Sequence, residues 1–300
     1  MANGDLTGTT ALVTGATGFI GSHLASRLIE AGATVVALVR PTTDTRLVPA
    51  GVRLALHDGT TAGLAAVVRD VRPDVTFHLA ARFVAQHGPD DVSGLVLDNV
   101  LLSAQLFEAL AATNCRRLVT AGTGWQHQVA APSRPVNLYA ATKQAVQDLL
   151  AFFTDASSLR AVTLELFDTY GPNDRRQKLF TILRRASETG QPLRMSPGEQ
   201  LIDLVHVDDV VSALLVAAQR AGCNPTDPSE VFAILAAKRY TLREVVELYS
   251  SMTGRHIDVV WGGRPYRDRE VMVPWTGAPL PGWQPAISLP EGLRTLADNG

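Results

Sequence analysis

The sequence predicts a doubly wound α/β fold on a parallel sheet, and three observations predict it. The glycine-rich turn Thr14-Gly15-Ala16-Thr17-Gly18-Phe19-Ile20-Gly21 joins a short apolar, β-branched run to a segment with helical spacing. The continuous apolar run Thr34-Val35-Val36-Ala37-Leu38-Val39 follows, the pattern of a parallel strand covered on both faces. Strand and helix patterns then alternate through the first half of the 300 residues.

Taken in order, 11–13 reads as a strand, and 21–31 as a helix with Leu24, Leu28 and Ile29 on one face. Strands over 34–39, 52–56 and 75–79 bracket a helix over 62–71. A long helix over 92–113, a strand over 117–120, a helix over 139–154 and a strand over 161–167 complete the alternation. After Tyr170-Gly171-Pro172 the rhythm changes. Helices over 179–189 and 207–219 flank a turn at Ser196-Pro197-Gly198, and a strand covers 231–235. Thr241 and Glu244 form a capping-box pattern at the start of a helix over 242–253. The tail over 261–290 is rich in Pro, Gly, Trp and Arg, and is expected to wrap a ligand or the main domain. Residues 1–168 are therefore read as a dinucleotide-binding Rossmann domain. Residues 169–300 are read mainly as a smaller α/β substrate lobe, with segments returning to the first domain.

The apolar share of 46% and charged share of 19% suit a large buried core. A net charge of −2 gives no reason to expect nucleic acid as a partner, so phosphate recognition should rest on a few local arginines. Cys115 and Cys223 form no framework and fit reduced packing thiols, which points to a cytoplasmic protein. Residues 1–9 are short and polar, without a signal-peptide pattern. No apolar run approaches the roughly 20 residues that span a bilayer, so no membrane is expected, and no metal site either.

In the glycine turn, one of Gly15, Gly18 and Gly21 permits the tight bend. Another lets a pyrophosphate approach the backbone, and another lets helix and strand pack closely. Thr17, Phe19 and Ile20 lie in the same cradle, at a helix start whose free N–H groups and dipole favour phosphate. An acidic residue ending the second strand would bind the ribose of NAD; this chain has Arg40 there. A guanidinium suits the 2′-phosphate of NADP, so NADP is favoured and NAD stays possible; the alternative is a solvated surface arginine. Asp58 is placed either to meet the adenine or to cap its own loop.

Tyr139 and Lys143, four residues apart, share one face of a helix. An ammonium beside a phenol, together with the nicotinamide charge, is expected to lower the phenol pKa and allow proton exchange with a carbonyl or alkoxide oxygen near neutral pH. A further hydroxyl should follow the strand over 117–120, with Thr123 preferred and Thr120 as runner-up.

Together the glycine turn, His78-Leu79-Ala80-Ala81, Asn99, Tyr139-x-x-x-Lys143, Tyr170-Gly171-Pro172 and Val205-His206-Val207-Asp208-Asp209-Val210 resemble the extended short-chain dehydrogenases/reductases, the NAD-dependent epimerase/dehydratase group. The resemblance covers essentially the whole chain. It implies Tyr139 as acid/base and Lys143 as its pKa modulator and ribose ligand. Leu79, Ala80 and Ala81 are implied as cofactor contacts. Asn99 is implied to steady Lys143 through a water, with a helix-buried asparagine as the alternative. Dehydratases of the group place an Asp-Glu pair directly after the catalytic threonine. Here Gly124 and Trp125 follow Thr123, which argues against dehydration.

The segments Gly122–His127 and Asn137–Ala145 are most similar to nucleotide-sugar 4-ketoreductases, including the CDP-abequose and CDP-paratose synthase-like enzymes and those of antibiotic deoxysugar pathways. This resemblance implies a dTDP- or CDP-linked 4-keto-6-deoxyhexose as substrate. It would be bordered by Trp125, Gln126 and His127, although His127 equally suits a polar loop residue. Arg176, Lys178, Arg264 and Arg267 are the cations available for the diphosphate, or else solvated loop charges. Relatives often carry an arginine where Ile202 stands, so that contact is expected to shift to Arg264 or Arg267. Leu280-x-Gly282-Trp283-x-Pro285 resembles a packing motif. The helices over 92–113 and 139–154 imply a homodimer through a four-helix bundle. Two other functions stay open, an epimerase that recycles its hydride and a non-enzymatic dinucleotide sensor.

Overall fold

In the computed structural model, which describes residues 6–113, 115–128, 133–223 and 227–298, strand β1 (Thr10–Thr14) leads through the glycine turn into helix α1 (Phe19–Glu30). Strands β2 (Thr34–Val39) and β3 (Arg53–Leu56) precede helix α2 (Thr61–Val71) and strand β4 (Val75–His78). The long helix α3 runs over Asp91–Ala111, and its Val96–Leu101 stretch is a π-helical turn. Strand β5 (Arg117–Thr123), helix α4 (Leu138–Ala156) and strand β6 (Arg160–Leu166) complete the alternation.

The main sheet is parallel, and its order across the first six strands is β3-β2-β1-β4-β5-β6. The order reverses between β1 and β4, which opens a crevice at the carboxyl ends of those strands. Both faces are covered. Ala11, Val13, Val119 and Leu164 pack with Leu24 and Leu28 of α1, while Leu12, Val36 and Leu118 pack with Leu64, Phe107 and Leu150 from α2, α3 and α4. Each such valine or leucine, fully buried, contributes about 1.5–3 kcal/mol relative to exposure. The absence of alternation in 34–39 follows from this two-sided cover.

Beyond β6 come strand β7 (Asp168–Tyr170), helix α5 (Leu179–Thr189) and the short strands β8 (Leu193–Arg194), β9 (Leu201–Ile202) and β10 (Leu204–His206). Helix α6 (Val207–Gly222) returns to the main sheet, and strand β11 (Ser229–Ile234) joins its edge parallel to β6. Strand β12 (Tyr240–Thr241), helix α7 (Leu242–Thr253), strand β13 (Val259–Val260) and helix α8 (Leu289–Asp298) follow. A separate core of Tyr170, Leu183, Met195, Val245, Val246, Tyr249 and Leu293 holds this part together. Thr241 caps α7 with Glu244 in a reciprocal box. Leu280 and Trp283 are buried in the main core, and Trp283 Nε1 donates to Ser212 Oγ at 2.8 Å.

Three expectations need correction. The strand expected over 117–120 continues to Thr123, because Ala121, Gly122 and Thr123 pair in register with Leu164, Glu165 and Leu166 of β6. At the end of the tail over 261–290 the chain forms α8, for which no helix was expected, and its Leu289 and Leu293 bury against the second core. Helix α3 is 21 residues, long and apolar enough by length and composition to cross a membrane, contrary to the sequence expectation. Leu106, Phe107 and Leu110 of this helix are fully buried, and Asp91 and Asp98 pair with arginines, so it serves as a core helix. Cys115 is buried, Cys223 is exposed, and neither forms a disulfide.

Candidate active site

The site starts at the glycine turn. Gly15 has φ +73°, a left-handed conformation that L side chains rarely adopt. A Cβ there would also lie 2.7 Å from Ala80 N, so β1 and the end of β4 approach closely only because Gly15 lacks one. A Cβ on Gly21 would lie 2.0 Å from the Gly15 carbonyl oxygen, so the first turn of α1 sits directly on the bend. Gly18 caps α1 without a side chain, and Gly18 N donates back to Gly15 O at 2.9 Å. The opening N–H groups of α1 thus face the crevice, bordered by Thr17, Phe19 and Ile20. This bare, positively polarised helix start is a cradle that fits a dinucleotide pyrophosphate.

Arg40 stands at the end of β2 with its side chain 65% exposed, and its Nη1 donates to Asp98 Oδ1 of α3 at 3.0 Å. Arg82 Nη1 lies 3.8 Å from the other Asp98 oxygen, so two guanidinium groups share one carboxylate. Asp58 follows β3 and accepts from Thr60 N and Thr60 Oγ1, both at 2.8 Å. These bonds hold its carboxyl below the usual range. Thr60 in turn caps α2, so the loop-capping role foreseen for Asp58 is the one its contacts display.

At the end of β4, Leu79 and Ala80 lie against Gly15, and Ala81 is exposed beyond them. His78 is 2% exposed and sits between Thr14 Oγ1 and Ser103 Oγ, each 2.8 Å away. Burial, helped by the nearby Lys143 charge, pushes its pKa down to about 3. The folded pKa lies below the ordinary 6.5, so the unfolded chain takes up the proton first as pH falls. Stability from this group is complete above 6.5 and decreases by up to about 1.4 kcal/mol per pH unit towards pH 3. Urea midpoints measured from pH 7 to 4 should fall, and His78→Asn should flatten that acid limb.

Asn99 is buried at 2% exposure inside the π-helical turn. Its carboxamide accepts from Arg82 N at 2.7 Å and donates to Arg82 O and Thr142 Oγ1. Its backbone carbonyl accepts from Ser103 Oγ. Asn99 therefore reaches α4 through Thr142, one residue before Lys143.

Asn137 caps α4 through Ala140 N and also donates to Ala85 O, placing Tyr139 and Lys143 in the first turns beside the loop after β4. Lys143 is 5% exposed and makes no ion pair among the described residues. Burial pushes its pKa down to about 8. Tyr139 is half-buried, and burial pushes its phenol up to about 12. Desolvation is the cause of this rise, so Tyr139 holds its proton near neutral pH. The Phe83 ring packs edge-on against Tyr139 at 5.0 Å and lies 5.7 Å from Trp125. Lys178 Nζ stands 4.3 Å from the Phe83 centroid and Arg267 Cζ 5.8 Å from that of Trp125. Phe83 escaped the sequence reading because a single aromatic in a polar loop carries no periodic signal.

Thr123 ends β5 at 9% exposure; its Oγ1 accepts from Trp125 N at 3.3 Å and keeps its O–H available. Thr120 is buried, and its hydroxyl is paired with Thr163 Oγ1 at 2.9 Å across the sheet. Gln126 is corrected outright. It is 0% exposed, accepts from Thr123 N and donates to Gln144 Oε1, so it braces the loop instead of bordering a ligand. His127 also faces inward. Its Nε2 lies 3.0 Å from Glu165 Oε2, and its ring stacks on Trp275 at 3.8 Å. Glu165 also accepts from Gln147.

The cations of the second half divide. Arg176 is bound by both Asp174 oxygens and Thr169 O, and its guanidinium covers the Phe19 ring at 4.4 Å. It therefore stands at the glycine turn, with its charge already matched, contrary to the expected diphosphate role. Lys178 faces Phe83, and Arg267 faces Trp125. Arg264 is exposed, with its backbone N–H on Met195 O. Arg239, which carries no signal of its own in the sequence, ties buried Asp203 to Thr276 and Trp275 O, holding the tail that covers His127. Among the described residues no group of His, Cys, Asp or Glu could hold a metal ion.

The model of the NAD dependent epimerase/dehydratase family matches residues 11–230. CDP-abequose synthase of Yersinia pseudotuberculosis is 27% identical over 88% of this chain and 90% of that protein. UDP-glucose 4-epimerase of Streptomyces lividans is 30% identical over 92% of this chain and 91% of its own. Among solved structures, MoeE5 in complex with UDP-glucuronic acid and NAD superposes with a TM-score of 0.82 at 29% identity, covering 95% of this chain and 97% of that one.

Proposed function

The chain belongs to the NAD dependent epimerase/dehydratase family, and on that premise we propose that it is an NADPH-dependent 4-ketoreductase of a nucleotide-activated 4-keto-6-deoxyhexose, dTDP- or CDP-linked. The observation that carries this reading is the pairing of a protonated Tyr139 and a buried Lys143 with the Phe83–Trp125 wall flanked by Lys178 and Arg267. A sugar ring fits an aromatic wall beside a proton donor, and a diphosphate fits the two cations.

The glycine turn from Gly15 to Gly21 would hold the dinucleotide, which when bound would supply the hydride for the carbonyl carbon. Tyr139 donates its phenolic proton to the carbonyl oxygen, which leaves an alcohol. Lys143 offers positive charge below about pH 8 to stabilise the phenolate left behind. Thr123 has its hydroxyl hydrogen available for the same oxygen. No carboxylate follows Thr123, which supports net reduction over water elimination. Arg40 at the end of β2 supports NADPH, with Asp98 as a competitor that a 2′-phosphate would have to displace.

The exposed apolar residues Val92, Val96, Leu97 and Leu101 of α3 and Phe152 of α4 support a homodimer through these helices. The second reading, a cofactor-retaining epimerase, is favoured by the similarity to the Streptomyces lividans enzyme.

The deciding experiment follows NADPH and NADH oxidation against CDP- and dTDP-linked 4-keto sugars, with product configuration read by NMR. Oxidation with NADPH preferred, and that preference lost in Arg40→Ala, is the expected result. Interconversion of 4-epimers without added dinucleotide, from enzyme carrying oxidised cofactor, would establish the epimerase instead.

A further inference from the structure

Thr14 precedes Gly15, and Tyr139 opens α4; two runs of buried hydrogen bonds, joined by the covalent frame of Asn99, connect Thr14 through His78 to the Tyr139 backbone carbonyl. The direction of the first run can be worked out from one end. The Asn99 carbonyl can only accept, so the Ser103 hydroxyl must donate to it. Ser103 Oγ then accepts from the ring, which fixes the proton of neutral His78 on Nε2. Nδ1 is left as acceptor, so Thr14 donates its hydroxyl hydrogen to it. Thr14 Oγ1 in turn accepts from Ala80 N at 3.1 Å, the backbone nitrogen against which Gly15 is pressed. On the far side, the Asn99 carboxamide donates to Thr142 Oγ1 at 2.9 Å, and Thr142 donates to the Tyr139 carbonyl at 2.7 Å. His78, Asn99, Ser103, Thr14 and Thr142 are all under 5% exposed, and each hydroxyl donates once.

We propose that His78, fixed as the Nε2–H tautomer between Thr14 and Ser103, is a positioning residue that couples the glycine turn to the first turn of the Tyr139–Lys143 helix. The inference rests on the reading that the glycine turn holds a dinucleotide and that Tyr139 and Lys143 carry the chemistry. A buried imidazole bonded at both nitrogens has one low-energy orientation, so displacement at one end must be accommodated at the other. Dinucleotide binding at Gly15 should therefore order α4 around residues 139–143, well away from the phosphates.

Two measurements test this. In protein labelled with 15N-histidine, His78 should show a pyridine-type Nδ1 and a pyrrole-type Nε2 at pH 7.5, its signal assigned by its loss in His78→Gln. A pyrrole-type Nδ1, or an averaged tautomer mixture, overturns the proposal irrespective of any substrate. In the second, amide exchange is measured with and without saturating NADPH or NADH. Wild-type protein should gain protection at 139–143 at least five-fold on binding. Ser103→Ala should bind dinucleotide at the glycine turn yet lose most of that gain, with kcat reduced about ten-fold and KM unchanged. Ser103→Thr should restore both. Full protection of α4 in Ser103→Ala overturns the coupling. Failure of wild-type protein to bind any dinucleotide would instead refute the functional reading, leaving the tautomer result to decide the inference.

Discussion

Tyr139→Phe is expected to lower turnover by about three orders of magnitude while leaving dinucleotide affinity unchanged. The substitution removes one oxygen and keeps the ring that packs against Phe83. Burial pushes the phenol pKa up to about 12, so the group is a poised donor beside the Phe83–Trp125 wall. Loss of a general acid generally costs 10²–10⁴-fold in rate. Fold and cofactor cradle depend on neither atom, since the glycine turn and α1 lie on the other side of β4. Single-turnover hydride transfer and a fluorescence titration with NADPH would read the two quantities separately. Full turnover in the variant would remove Tyr139 from the mechanism.

Gly21→Ala should be the most damaging conservative change at the cofactor site. Its Cβ would sit 2.0 Å from Gly15 O and 2.7 Å from Gly15 C, atoms of a backbone bend that cannot rotate away. α1 would have to lift from β1, breaking its packing of Leu24 and Leu28 on the sheet. Overpacking of this kind costs about 3 kcal/mol or more, and the displaced helix start would no longer offer its N–H groups to a pyrophosphate. Urea unfolding and dinucleotide titration should both show the loss. Gly88→Ala is the control: a Cβ there meets nothing within 4 Å, and its φ is not in the left-handed region, so little change is expected.

Alternation of strand and helix was legible because parallel strands buried on both faces read as apolar runs, and 34–39 is buried at five of its six positions. The glycine turn and the Tyr139–Lys143 spacing were legible because each is local, set by a few dihedral angles along one segment. Gln126 was misplaced, and His127 stayed open, for the opposite reason. Polar residues in a loop look alike in sequence whether they face a ligand or a buried partner, and only Glu165 and Gln144 decided which. Spacing likewise reports the lysine near Tyr139 and says nothing about the water that burial removes from the phenol, which pushes its pKa up.

The sequence by itself determined the strand–turn–helix that fits a dinucleotide, the shared helical face of Tyr139 and Lys143, and the lack of a carboxylate after Thr123. Only the tertiary structure decided that Arg40 meets Asp98 across 58 residues, that Phe83 joins Tyr139 to Trp125, and that His78 lies between the glycine turn and the Tyr139–Lys143 helix, bonded to Thr14 and Ser103. The physical reason is that local dihedral and periodic preferences are written in adjacent residues, whereas burial and hydrogen-bond partnership are set by which elements the packed sheet brings together.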